Sequence, residues 1–90
     1  MPIKSSGKIS VVIPCLNEVN SVGIGISEAL YVFKQENLDG EVIVVDNGSY
    51  DNSKHVAWDN GAKVISQPVR GYGAAYLLGL QEARGDYIVI

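Results

Sequence analysis

The sequence predicts an α/β fold of three layers, with helices on both faces of a doubly wound parallel sheet. Val42-Ile43-Val44-Val45 is an unbroken β-branched run, the pattern of a strand buried on both faces. Strand-sized apolar runs alternate with helical stretches of about ten residues or more, in the order β-α-β-α-β-α-β. The connections are short, which implies right-handed crossovers and parallel neighbours.

The first strand is expected over Ile9–Pro14, rich in Val and Ile and ended by Pro14. Cys15–Asn20 is a polar loop. Val22–Asn37 reads as a helix with Ile26, Leu30, Val32 and Phe33 toward the core, though Gly23 and Gly25 weaken its first turns. Leu38-Asp39-Gly40 is its stop and turn. Glu41–Val45 is the second strand. Ser49 or Asp51 can cap the following helix, which runs to about Asn60 and ends at Asn60-Gly61. Ala62–Ser66 is a short third strand and Gln67–Tyr72 a loop. Gly73–Ala83 is a third helix, with Ala74, Leu77, Leu78 and Leu80 as its apolar positions. Arg84-Gly85 turns into the last strand, Asp86–Ile90.

Ninety residues suffice for one small domain, one that buries roughly 60–65% of its unfolded surface. A formal net charge of −3 and the absence of a Lys/Arg cluster argue against nucleic acid as a partner. The single cysteine, Cys15, excludes an internal disulfide and a Cys-based zinc site, and suits a reducing, cytoplasmic setting. No signal peptide or membrane span is visible. Met1–Lys8 is polar and is expected to be a flexible leader to the domain at 9–90.

Three strand-end loops carry the polar groups: Pro14–Glu18, Asp46–Asp51 and Gln67–Gly73. In open α/β sheets ligands bind outside the carboxyl ends of the strands, so convergence of the three would make a site. Asp46 can accept hydrogen bonds from a ribose hydroxyl pair or a base N–H, or can cap the Gly48 and Ser49 amides in a tight turn. The two roles are compatible. Gly48 supplies backbone freedom, and Ser49 and Asp51 are better suited to capping than to ligand contact. Asn17 and Glu18 can bind a base or ribose, or can simply begin a helix at its positive end. Arg70 can neutralise a diphosphate while the glycines beside it let backbone amides approach; a solvated arginine on a flexible loop is the plainer alternative. Arg70-Gly71-Tyr72-Gly73 is not a Walker A loop, since no Lys-Ser/Thr pair follows, nor a dinucleotide fingerprint, since Tyr occupies position 76 and the glycines lie on the third βα unit. Lone His55 suits a surface or half-buried position better than a catalytic one, and Trp58 and the tyrosines suit core or rim packing, with Tyr72 nearest a ligand.

Together these segments resemble the start of an inverting family 2 glycosyltransferase. The matching stretches are V-V-I-P-C-L-N-E (Val11–Glu18), V-V-D-N-G-S-Y-D (Val44–Asp51), R-G-Y-G-A-A (Arg70–Ala75) and A-R-G-D-Y-I-V (Ala83–Val89). The nearest resemblance is to dolichol-phosphate mannosyltransferase-like members. It implies the N-terminal half of a GT-A fold with a Rossmann-like sheet, strand order 3-2-1-4 expected. It further implies a site for a nucleoside-diphosphate sugar. Pro14, Asn17 and Glu18 would line the nucleoside pocket, Asp46 would meet the base or ribose, and Arg70, Gly71 and Gly73 would lie along the diphosphate.

The sequence departs from the family pattern in two ways. The common D-D-G-S is here Asp46-Asn47-Gly48-Ser49, without the second carboxylate. The Asp-x-Asp segment that holds Mg²⁺ or Mn²⁺ in family members follows the strand matching Asp86–Ile90, and the catalytic base follows later. Asp86 begins that strand, at the wrong end for a metal ligand. No catalytic or metal-binding residue is therefore assigned. The 90-residue piece is expected to be an inactive part of a larger enzyme, with a polyprenyl phosphate among its acceptors by resemblance and the cytosolic face of a membrane as its setting. A non-catalytic nucleotide-binding or assembly module of the same fold is the alternative. A nucleotidyltransferase would need a Gly-rich basic loop in place of Cys15–Asn20. With order 3-2-1-4 the last strand is an apolar edge, and self-association through it is expected.

Overall fold

A computed structural model describes residues 7–90. The elements are β1 (Lys8–Cys15), α1 (Val22–Gln35), β2 (Asp39–Asp46), α2 (Ser53–Asp59), β3 (Lys63–Ser66), α3 (Tyr72–Glu82) and β4 (Tyr87–Val89). The four strands form one parallel sheet in the order β3-β2-β1-β4, as expected from the sequence. Of the leader expected at 1–8, residues 1–6 lie outside the described residues. Lys8 already belongs to β1, where its N–H donates to Asp86 Oδ2 at 3.0 Å and its carbonyl accepts from Asp86 N–H at 2.7 Å.

The core lies on both faces of β2. Val42 and Val44 pack with Cys15, Val22, Ile26, Ala57 and Ala62 under α1 and α2. Ile43 and Val45 pack with Val12 and Ala75 under α3. Alternation along one apolar strand thus feeds two cores, which is what a strand covered on both faces requires.

Several boundaries differ from expectation for local reasons. Pro14 does not end β1. The Cys15 carbonyl accepts from Asn47 N–H at 2.8 Å on the β2 side, so Pro14, one residue earlier, turns its missing donor toward the β4 side. Pairing with β4 stops at Val11, and no ladder bond is lost there. Asn37, rather than Gly40, stops α1. It adopts φ 52, its N–H donates to the Lys34 carbonyl, and Leu38 N–H donates to the Phe33 carbonyl at 2.8 Å. These are the two bonds of a Schellman stop, and β2 is freed to begin at Asp39. Asn60-Gly61 ends α2 by the same pair of bonds, Gly61 N–H to Trp58 and Ala62 N–H to Ala57.

Packing corrects other assignments. On α1 the inward positions are Val22, Ile26, Ala29, Leu30 and Phe33, while Val32 faces out at 49% exposure. Trp58 and the tyrosines at 31, 50, 72 and 87 are exposed, which removes the core half of their core-or-rim reading. On α3 the sheet-facing positions are Ala75 and Gly79, flanked by Tyr76 and Leu78, whereas Leu77 and Leu80 are exposed. The cause is close approach. A Cβ on Gly79 would fall 2.3 Å from Val12 Cγ1, so only a hydrogen there lets the helix lie this near the sheet.

Candidate functional site

The C-terminal ends of β1, β2 and β3 meet in register, with Cys15 opposite Asp46 and Asp46 opposite Ser66. The three polar loops therefore leave the sheet side by side. Asp46 is 1% exposed, and its carboxylate closes a tight turn. Oδ2 accepts from Gly48 N–H at 3.1 Å and Ser49 N–H at 2.9 Å, and Oδ1 accepts from Ser49 Oγ at 2.5 Å. Both oxygens are engaged within the loop, so Asp46 meets the turn-capping half of its two sequence readings.

The β1–α1 loop is fastened to the β2–α2 loop. Asn17, itself at φ 52, donates its N–H to Ser49 Oγ at 2.9 Å and accepts from Tyr50 N–H at 2.7 Å through its side chain. Val19 N–H donates to Asp51 Oδ2 at 3.2 Å, and Glu18 N–H to the buried Ser53 Oγ at 2.8 Å. Ser49 is thus a tie between loops and not a helix cap. Asp51 does serve α2, because its Oδ1 accepts from Ser53 N–H at 2.9 Å and from the Ser53 hydroxyl. The Ser53 hydroxyl is the main cause holding the Asp51 carboxyl below its usual pKa. The Glu18 side chain is exposed, and no hydrogen bond among the described residues engages its carboxylate.

Asn47 fastens the third loop. Its Nδ2 donates to the carbonyls of Gln67 and Val69, each at 2.8 Å, and its Oδ1 accepts from Gly71 N–H at 2.9 Å. Gly71 has φ 114, a conformation suited to glycine, and no atom lies within 4 Å of where its Cβ would be. Its backbone therefore borders open space. Gly71 is also the N-cap of α3, whose first turn has neither a side-chain cap nor an acidic residue.

Between the loops is a cavity of about 250 Å³, lined by Pro14, Cys15, Leu16, Asn47, Arg70, Gly71 and Tyr72. Of the residues singled out as site candidates from the sequence, Pro14, Arg70 and Gly71 line this cavity. Asn17, Glu18, Asp46 and Gly73 do not line it: Asn17 and Asp46 brace the loops around it, Glu18 follows Asn17, and Gly73 is in the exposed first turn of α3. Arg70 makes no ion pair among the described residues. Cys15 is a buried wall of the cavity, and burial pushes its thiol pKa up. His55 is on the surface of α2, 3.1 Å from Asp59. Asn47, Cys15 and Leu16 were not singled out from the sequence. The available signal was position: each directly adjoins a strand end that the fold had to bring to this edge.

The model of Glycosyl transferase family 2 matches residues 10–90. The chain belongs to this family. Among curated relatives it is 39% identical over 82 residues to the low-salt glycan biosynthesis hexosyltransferase Agl6 of Haloferax volcanii, covering 91% of this chain and 20% of that protein. It is 35% identical to human dolichyl-phosphate beta-glucosyltransferase, covering 92% of this chain and 30% of that protein. Among solved structures, mannosyl-3-phosphoglycerate synthase from Rubrobacter xylanophilus superposes with a TM-score of 0.83 at 30% identity, covering 91% and 29% of the two chains. Glucosyl-3-phosphoglycerate synthase from Mycobacterium tuberculosis, solved with Mn²⁺, UDP-glucose and phosphoglyceric acid, superposes at 0.76 with 33% identity, covering 92% and 32%. The same enzyme has been solved with Mg²⁺ and UDP. These matches bear out the GT-A fold expected from the motifs. The chain spans between 20% and 34% of the length of the curated relatives it matches.

Proposed function

We propose that this chain is the nucleotide-binding half of a glycosyltransferase that moves a sugar from a nucleoside-diphosphate sugar to an acceptor. The observation that carries the reading is the cavity at the strand ends. Arg70, which makes no ion pair among the described residues, and the start of α3 at Gly71, which has no side-chain cap, border the same space as the apolar Pro14 and Leu16. A nucleoside diphosphate has a flat base and an anionic diphosphate, and the two sides of the cavity suit those two ends. Pro14 and Leu16 would flank the base, and Glu18, with Asn17 holding its loop, would reach the ribose or base. Arg70, Gly71 and Gly73 would run along the diphosphate. Asp46 would support the site by holding its turn, with Gly48, Ser49 and Asp51 completing the brace.

Among the described residues no three His, Cys, Asp or Glu side chains converge as metal ligands. Asp46 and Asp51 are already engaged by hydrogen bonds, so these residues do not fit a Mg²⁺ or Mn²⁺ site. In this proposal the metal ligands and the base that activates the acceptor belong to sequence outside the 90 residues. A polyprenyl phosphate is the proposed acceptor, by likeness to the dolichyl-phosphate enzyme. Among the described residues no helix is long and apolar enough to cross a membrane. The buried free thiol of Cys15 supports a reducing cytosolic setting, at the membrane face when the acceptor is a lipid.

Calorimetric titration with UDP and GDP, with and without Mn²⁺, tests the pocket. Saturable binding of at least one nucleotide is expected, weakened about tenfold or more by Arg70→Ala, as loss of a charge-assisted hydrogen bond implies. Binding of neither nucleotide, or full affinity in Arg70→Ala, would defeat the reading. Metal-dependent sugar transfer by the 90 residues alone would refute the proposed division of the site.

A further inference from the structure

We infer that Asn47 is the positioning residue for the Arg70 side of the cavity, and that it does this work because it carries an amide rather than a carboxylate. The inference rests on the nucleotide-site reading above. Asn47 is 7% exposed, and its amide is engaged on both sides. Two Nδ2 protons go to the Gln67 and Val69 carbonyls, and Oδ1 receives the Gly71 N–H. An amide supplies two donors and an acceptor from one planar group, whereas an ionised carboxylate supplies acceptors only.

The bonded backbone groups bracket Arg70 on both sides in sequence. Val69 precedes it and Gly71 follows it, so the Asn47 amide fixes the chain direction through the arginine. Gln67 reinforces the segment: its N–H donates to the Asp46 carbonyl at 2.8 Å, its Oε1 accepts from Val69 N–H at 3.0 Å, and its Nε2 donates to the Ala74 carbonyl at 3.3 Å. The adjacent residues Asp46 and Asn47 thus divide two tasks by chemistry. The carboxylate gathers donors from its own turn, and the amide gathers mainly acceptors from the neighbouring loop. An aspartate at position 47 would set negative charge against two carbonyl oxygens while keeping only the Gly71 bond.

Asn47→Asp separates this role from a merely structural one through pH. Amide hydrogen exchange in the ligand-free chain reads the loop, and UDP and GDP titration reads the site. At neutral pH the variant is expected to keep its far-UV spectrum, to exchange about tenfold or more faster at Val69 and Gly71, and to bind nucleotide about tenfold or more weakly. Below the carboxylate range the protonated acid regains one O–H donor, and protection relative to wild type partly returns. The charged or titratable groups of the adjoining loops are Cys15, Glu18, Asp46, Tyr50, Asp51, Arg70 and Tyr72; all are common to wild type and variant, so the difference reports position 47. Asn47→Ala removes the same bonds without a charge, and is expected to loosen the loop with no such pH step; it also serves if the aspartate variant fails to fold. Unchanged exchange in both variants overturns the clamp. A loosened loop with undiminished nucleotide affinity overturns its link to the site. Failure of the wild type to bind either nucleotide overturns the site reading, and is distinguishable because the exchange measurement needs no ligand.

Discussion

β2 and β4 look alike in one dimension and behave oppositely in three. Val42–Val45 and Tyr87–Ile90 are both uninterrupted apolar runs. Yet Val42, Ile43, Val44 and Val45 are at most 1% exposed, while Tyr87 is 63%, Ile88 39% and Val89 51% exposed. β2 has a strand on each side and helices on each face. β4 pairs with β1 over Ile9–Val11 alone, and among the described residues no strand lies on its other side. An apolar run therefore specifies a strand, while its burial among the described residues depends on which other elements lie against it.

The sharpest way to break the contrast is the same truncation in both strands. Ile43→Ala is expected to cost about 2–5 kcal/mol, because it opens a cavity beneath α3 in a small domain with little stability to lose. Ile88→Ala should cost about 1 kcal/mol or less, since the side chain is already in contact with water. Urea denaturation of the two variants measures the difference, and equal losses would contradict it. Next in size is Gly79→Ala, which brings a methyl against Val12 and Val45 and is expected to destabilise by about 1–3 kcal/mol. Thermal unfolding checks it; a neutral or stabilising outcome would mean α3 can lift off the sheet at no cost.

A smaller effect comes from the polar link between the two strands. At the start of β2, Glu41 Oε2 accepts from Ser10 Oγ at 2.6 Å and from Arg84 N–H at 2.8 Å, which fixes the turn into β4. Partial burial pushes the Glu41 carboxyl pKa up, but the Ser10 hydroxyl, the Arg84 N–H and the charges of Lys8 and Lys63 outweigh it, so the net direction is down. A lowered folded-state pKa gives stability that is present above the unfolded value, 4.5, and lost as pH falls through the folded one. The denaturation midpoint should therefore drop as pH falls below about 4.5 and through the lower folded-state value, and drop less in Glu41→Gln, which leaves the share of Asp51. An identical pH response in the variant would remove Glu41 from the account.

The least change in stability is expected at the rim. We propose that the exposed β4 edge pairs with a second copy of the chain, as uncovered apolar edges do. Val89→Lys should shift sedimentation toward monomer while altering stability by about 0.5 kcal/mol or less. A wild-type chain that remains monomeric at high concentration would count against the pairing.

Much of the site was legible because strand ends are easy to find. Val42–Val45 announces β2, and whatever follows it must emerge at the edge where the cavity lies, which made Asp46 conspicuous. Pro14 and Arg70 were found by the same logic on the neighbouring units. What could not be read was the direction of each polar group. Asp46 and Asn47 are adjacent in sequence, and nothing local says that one closes its own turn while the other reaches across to Gln67, Val69 and Gly71. The α3 leucines misled for a related reason. A helix that meets a sheet through Ala75 and Gly79 hides its contact face behind its smallest residues.

The sequence by itself determined the element order, the parallel sheet and the three loops at one edge, since periodicity, short connections and crossover handedness act locally and leave few topologies. It also carried the motifs of family 2. Tertiary structure alone decided which apolar strand became core, how closely α3 approached the sheet, and which side chains brace the cavity rather than line it. Those outcomes depend on contacts between residues far apart in the chain, such as Asn17 with Ser49 and Asn47 with Gly71, and they exist only once β1, β2 and β3 are side by side.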